Sequence, residues 1–150
     1  MSLNRRTFLT TSAGIAIVGL SGNVSKVFAA AEDAQKAIAE FTGGAEPATG
    51  TIVLTAPEIA ENGNSVPVSI SVDSPMTEES YVESVTIIAE GNPNPEVVTF
   101  HFSPASGTAK ASIRMRLAKT QNVIAIAKMN DGLVFSDTKN VKVTIGGCGG

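Results

Sequence analysis

The sequence predicts an all-β fold: an immunoglobulin-like antiparallel β-sandwich with a short N-terminal helix and a flexible glycine-rich C-terminal tail. Three observations carry this. Apolar residues alternate with period two over most of the chain from Ile52 to Ile145. Turn signals such as Glu61-Asn62-Gly63-Asn64, Asn92-Pro93-Asn94-Pro95 and Ser106-Gly107 separate those runs. No long helical pattern lies between strands, which argues against a parallel α/β sheet. The 150 residues suggest one domain, with no internal boundary and no convincing repeat.

Taken in order, Ala30 to Phe41 reads as one helix. Ala34, Ala37, Ile38 and Phe41 follow the i, i+3, i+4, i+7 spacing of a narrow apolar stripe. Glu32 and Asp33 then fall in the first turn, where the helix dipole favours acids. Gly43-Gly44 ends the helix. Ile52 to Thr55 is a short strand stopped before Pro57. Val66, Val68, Ile70 and Val72 share a face, and Pro67 between them suggests an edge position or a strand start. Val85, Ile87 and Ala89 alternate next, then Val98, Phe100 and Phe102. The longest run is Ala109, Ala111, Ile113, Met115 and Leu117, with Lys110, Arg114 and Arg116 facing outward. Ile124 and Ile126 follow. The Asn130-Asp131-Gly132 turn leads into Leu133 to Phe135, and Val141, Val143 and Ile145 close the fold. The expected total is seven or eight strands.

The first 29 residues read as a removable export leader. Asn4-Arg5-Arg6-Thr7-Phe8-Leu9 is followed by a mild apolar stretch from Ala13 to Leu20 and by Val27-Phe28-Ala29 before Ala30. The paired arginines, the glycines Gly14 and Gly19 in the apolar part, and Lys26 near the cut fit the twin-arginine route, which carries folded proteins. The apolar stretch is far short of the roughly 20 residues that span a bilayer. The sequence thus divides into residues 1–29 as leader, 30–145 as helix plus sandwich, and 146–150 as tail. The expected destination is a bacterial periplasm.

Composition excludes several functions. Loss of Arg5, Arg6 and Lys26 takes Lys plus Arg from 11 to 8 against 14 acids, a net charge of −6. An acidic body lacks the basic footprint of nucleic-acid binding, and nothing draws it to an anionic membrane. One Cys forms no internal disulfide, and one His, His101, cannot build a His-rich metal cage. No Trp and a single Tyr leave no stacking platform for bases. No cofactor, metal site or catalytic residue is expected.

The chemistry-bearing residue is Cys148, set in Gly146-Gly147-Cys148-Gly149-Gly150. Glycine loses the most backbone freedom on ordering, so this segment is expected to be a mobile arm, thin enough to enter a narrow channel. No His or cation in the tail activates the thiol, whose ordinary pKa is about 8.5. It reads as a carried group, activated by whatever receives it. Two other readings stand beside this one. The tail could cross-link a structural sandwich through an intermolecular disulfide, or the cysteine could belong to a thiol enzyme, although no base lies near it.

Other residues have plainer explanations. His101, between Phe100 and Phe102, faces out. Arg114 and Arg116 share a face with Lys110 and read as solvated or as an interface. Glu78, Glu79 and Glu83 cluster near Tyr81 as a solvated loop or docking surface. Met76, Met115 and Met129 read as core fillers.

Several segments together resemble the SoxY family of sulfur-carrier subunits. They are the twin-arginine leader, Pro57-Glu58-Ile59-Ala60-Glu61-Asn62-Gly63, Ser74-Pro75-Met76, Asn92-Pro93-Asn94-Pro95, the run from Arg114 to Gln121, and the terminal Gly146 to Gly150. The resemblance covers essentially the whole chain. It implies a non-enzymatic carrier paired with a SoxZ-like β-sandwich subunit that has no leader of its own. It implies that Cys148 carries thiosulfate-derived sulfur on an arm made supple by Gly146, Gly147, Gly149 and Gly150. The implied clients are a Sox c-type cytochrome, a dimanganese hydrolase and, where present, a sulfane dehydrogenase.

Overall fold

The computed structural model describes residues 24–145. Most of the predicted leader and the whole tail, including Cys148 and its four glycines, lie outside the described residues.

Helix α1 runs from Val24 to Thr42. It starts before the expected Ala30 and is continuous across the expected cut after Ala29. Ala29, Ala30 and Ala31 are strong helix formers, and no Gly or Pro interrupts the segment. Glu32 and Asp33 therefore do not lie in the first turn, which holds no acid. The apolar stripe is as expected: Ala34 is buried, and Ala37, Ile38 and Phe41 pack beside it. The helix ends in a Schellman turn. Gly43 and Gly44 take φ of 64° and 84°, and the Gly44 N–H donates to Ala39 O at 3.1 Å.

Nine strands follow among the described residues: β1 (Ala48–Thr49), β2 (Ile52–Thr55), β3 (Ile59–Ala60), β4 (Val66–Val72), β5 (Val82–Ala89), β6 (Glu96–His101), β7 (Ala109–Met115), β8 (Gln121–Met129) and β9 (Val134–Val143). One sheet has the order β2-β4-β7. The other has the order β1-β9-β8-β5-β6, with β3 also on β9. The long pairings are all antiparallel. Two short strands depart from the expected pattern, since β1 and β3 each pair with β9 in parallel. At two residues each they are too short to carry a periodicity. The separate runs at Leu133–Phe135 and Val141–Ile145 prove to be parts of one strand, β9. Polar residues from Ser136 to Asn140 hide its continuity in the sequence.

The sheets face each other across a core of Ile52, Leu54, Val66, Val68, Ile70, Val85, Ile87, Val123 and Val141, among others. A second, smaller core lies on the opposite face of the larger sheet. There Ile88, Ile124, Ile126 and Val134 are covered by the α1 stripe. The molecule is thus three layers: small sheet, large sheet and helix. This changes the reading of β8. Ile124 and Ile126 meet the helix, whereas Val123, Ala125 and Ala127 face the other sheet. Strands β5 and β8 are buried on both faces, as a middle layer requires.

Pro67 resolves simply. It pairs with Arg114 of β7, but β2 reaches only as far as Ser69 on the other side. So β4 is central over Ser69–Val72 and an edge at Pro67, where a missing N–H costs no ladder bond. Met76, Met115 and Met129 are buried in the core as expected, Met76 with a left-handed φ of 54°.

Candidate functional site

The register places one set of connections at a single end of the sandwich. Strand β9 ends there at Val143, β8 begins there at Gln121, β5 ends there at Ala89, and β4 begins there opposite the end of β7. The β3–β4, β5–β6 and β7–β8 connections therefore cluster around the point from which the chain continues to Cys148. These are the Glu61–Asn64 loop, the Asn92–Pro95 turn and the Arg116–Thr120 segment. Ser74-Pro75-Met76, joining β4 toward β5, lies at the other end.

The strand that leads to Cys148 is held on both sides until just before the glycines. On one side the Lys142 N–H donates to Glu58 O at 2.9 Å and the Thr144 N–H to Ala60 O at 3.1 Å. The Thr144 Oγ1 donates to Glu61 O at 3.0 Å. The Gly63 N–H donates to Ile145 O at 2.8 Å. On the other side the Val143 N–H donates to Thr120 Oγ1 at 2.9 Å. Gly63 is buried and works in both directions, because its carbonyl accepts from the Leu117 N–H at 2.8 Å. Leu117 is fully buried, so this connection is anchored in the core.

Asn92 ties the neighbouring turn into the same structure. Its Nδ2 donates to Arg116 O at 2.8 Å, and its Oδ1 accepts from the Ala118 N–H at 3.0 Å and from Gln121 Nε2 at 2.9 Å. Gln121, buried, accepts the Gly91 N–H on its Oε1 at 2.7 Å. A Cβ at Gly91 would meet Gln121 Cβ at 3.0 Å and Lys119 Cε at 2.9 Å, so the turn and the β7–β8 segment pack in contact at this glycine. Asn92→Ala strips partners from two donors and one acceptor. It is expected to lower stability by about 1–2 kcal/mol, since these bonds are exposed or partly buried and a typical hydrogen bond contributes about 1 kcal/mol net. Urea denaturation of the purified chain measures this.

Of the other expected residues, all but Arg116 stand apart from this site. His101 is exposed at the end of β6, opposite Ser84. Lys110, Arg114 and Arg116 are exposed, and Arg114 reaches only Ser65 Oγ, at 3.4 Å. Glu78, Glu79 and Glu83 are exposed as well. A backbone hydrogen bond and one with Thr77 hold the Glu79 carboxyl below the usual range. Among the described residues no group of three His, Cys, Asp or Glu side chains comes together to hold a metal ion. Among them, too, no helix is long and apolar enough to cross a membrane. The clamp around Thr144 and Ile145 leaves little trace in the sequence. Its only local signal is Gly63, since Thr120 and Thr144 look like ordinary strand-end residues.

Comparisons with known proteins bear on this end of the molecule. The SoxY family, described as sulfur oxidation protein SoxY, matches residues 38–148, a span that runs through the clamp and reaches Cys148. The solved structure of the sulfur carrier protein SoxY from Chlorobium limicola f thiosulfatophilum is similar at 30% identity and a TM-score of 0.66, covering 80% of this chain and 99% of that one. Two superoxide reductases share the fold at lower identity. The neelaredoxin of Ignicoccus hospitalis has 23% identity and a TM-score of 0.56, over 63% of this chain and 80% of that one. The protein of Nanoarchaeum equitans has 15% identity and a TM-score of 0.50, over 63% and 99%. At such identities these two likenesses concern the β-sandwich alone. No curated protein matches the sequence. With the family match spanning most of the body and ending on the cysteine, the chain belongs to the SoxY family of sulfur oxidation proteins.

Proposed function

We propose that this chain is a covalent sulfur carrier and not itself an enzyme, and that Cys148 is the attachment point. The observation that carries the reading is the family match through to Cys148, joined to a body whose backbone bonding reaches Ile145, three residues before the thiol. A rigid root followed by Gly146-Gly147 suits an arm that swings from one pivot. Gly149 and Gly150 keep the far side of the thiol slim.

The chemistry belongs to the partners. Loading joins the thiol of Cys148 to the outer sulfur of thiosulfate. A new S–S bond forms, the thiol proton goes to solvent, and an electron pair passes to a c-type cytochrome partner. Hydrolysis by a dimanganese partner then breaks the bond between the sulfonate sulfur and its neighbour. Water supplies the fourth oxygen of sulfate, and a persulfide stays on Cys148. A sulfane dehydrogenase, where present, oxidises the outer sulfur of that persulfide to a sulfonate, with three waters supplying the oxygens and six electrons passing to the dehydrogenase and its electron acceptor; hydrolysis of the sulfonate then releases sulfate and frees the arm. The chain works paired with a SoxZ-like subunit in the periplasm. The arginine pair Arg5-Arg6 would send that pair out already folded.

Intact-mass spectrometry tests the reading. After incubation with thiosulfate, the SoxZ-like subunit and the Sox enzymes, Cys148 is expected to carry sulfur adducts that a reductant removes. A thiol that stays unmodified overturns the carrier role. A stable Cys148-linked homodimer formed without any partner subunit would support the structural cross-link instead.

A further inference from the structure

The bond that holds Ile145 to the body also occupies a reactive atom. Gly63, whose N–H donates to Ile145 O at 2.8 Å, follows Asn62, and this is the sole Asn-Gly pair in the chain. In such a pair the glycine nitrogen can attack the asparagine side chain, because glycine puts no Cβ in the way. The Gly63 nitrogen gives up its proton and bonds to Asn62 Cγ, and the side-chain nitrogen leaves as ammonia. Water then opens the resulting succinimide ring at either carbonyl, giving aspartate or isoaspartate. No electrons are exchanged, and water is the one co-reactant. Asn92 and Asn94 cannot follow this route, because each precedes a proline, which has no N–H.

In the folded chain both reacting groups are held by other bonds. The Gly63 N–H is given to Ile145 O, and the Asn62 Oδ1 accepts from the Asn64 N–H at 2.9 Å in an Asx turn. The backbone on either side is fixed as well. The Thr144 Oγ1 donates to Glu61 O at 3.0 Å, and the Leu117 N–H to Gly63 O at 2.8 Å. Asn62 itself is exposed, so water and base reach it as soon as Gly63 is released. Reaction then runs through the open form, at a rate set by how often Gly63 is detached from Ile145. The change is not undone when the strand returns. Isoaspartate adds a methylene carbon to the backbone before Gly63 and displaces it from its partner, and either product adds a negative charge to an acidic body.

We propose that Asn62 is a latent deamidation site gated by the hydrogen bond from Gly63 to Ile145, so that opening at the root of the arm is recorded there as a covalent change. The inference is independent of what Cys148 carries. The test follows conversion in the purified full chain at mildly alkaline pH, by peptide mapping that separates Asn62 from the Asp131-Gly132 turn. Folded wild type is expected to convert at least about tenfold more slowly than the same chain unfolded in urea. Thr144→Val keeps the shape of the side chain and removes its bond to Glu61 O. It is expected to speed conversion about threefold or more in a chain that stays folded. Thr86→Val, remote on β5, removes a bond to Val98 O and is expected to leave the rate at its wild-type value. Equal rates in folded and unfolded wild type overturn the gate, a comparison that needs neither variant. A wild-type rate in folded Thr144→Val overturns it too. Equal acceleration by Thr144→Val and Thr86→Val traces the reaction to unfolding of the whole chain and overturns the root of the arm as its control. An unfolded chain that keeps its Asn62 amide overturns the site.

Discussion

Cys148→Ser is expected to abolish thiosulfate oxidation in a reconstituted system while leaving the fold unchanged. The substitution exchanges one atom, and the consequence lies in what that atom can do. A thiol with an ordinary pKa near about 8.5 is a few per cent thiolate at neutral pH and can join a sulfur atom through an S–S bond. A serine hydroxyl ionises far less and has no sulfur to share. Stability is not expected to respond, because serine is close to cysteine in size and Cys148 is set among four glycines that offer no side chain to a core. The expected result is a wild-type denaturation midpoint, wild-type pairing with the partner subunit, no mass adduct, and thiosulfate-dependent electron flow at background. Retained electron flow would defeat the carrier reading, since this is the sole cysteine. A lost midpoint would instead mean that the tail packs on the body, against the pivot at Ile145.

Much of this molecule was legible in its residues, for physical reasons that differ from place to place. Strand β4 shows its core face as Val66, Val68, Ile70 and Val72, because it is buried on one side and solvated on the other. The helix stripe of Ala34, Ala37, Ile38 and Phe41 is legible for the same reason. Period two fails where both faces are covered. In β8 the alternation picks out Ile124 and Ile126, the larger residues, yet these serve the helix layer and the smaller Val123, Ala125 and Ala127 serve the sandwich. Side-chain size marks these residues in the sequence but does not report which face they occupy. Cys148 could be proposed as the attachment point because glycines flank it on both sides. The clamp could not be foreseen, because it is made of backbone groups and two threonines brought together by a parallel pairing of two residues. Segments as distant as Glu58–Gly63 and Thr120–Ile145 meet only once the register is known.

The same convergence makes Leu117 a position in the body with a large expected effect. Leu117 has no exposed surface, sits just past the end of β7, and donates its N–H to the carbonyl of Gly63. It is therefore both a core residue and the anchor that holds the residue bonded to Ile145. Leu117→Ala removes buried methyl groups from a packed interior. It is expected to cost about 2–5 kcal/mol, the usual range for such truncations. For a domain of this size each kcal/mol corresponds to a few degrees in melting temperature, so a fall on the order of 10 °C is expected. The more informative signal is local. A loosened Leu117 gives Gly63 freedom to withdraw from Ile145, and the pivot of the arm would slide back along β9 toward Val143. Amide exchange at Gly63 and Thr144 is then expected to accelerate more than at Val85 or Ile87, central in β5, even under conditions where the chain stays folded. Uniform acceleration across all four would mean that Leu117 supports the core alone. Selective acceleration at Gly63 and Thr144 would mean that one leucine sets where the rigid body stops and the arm begins.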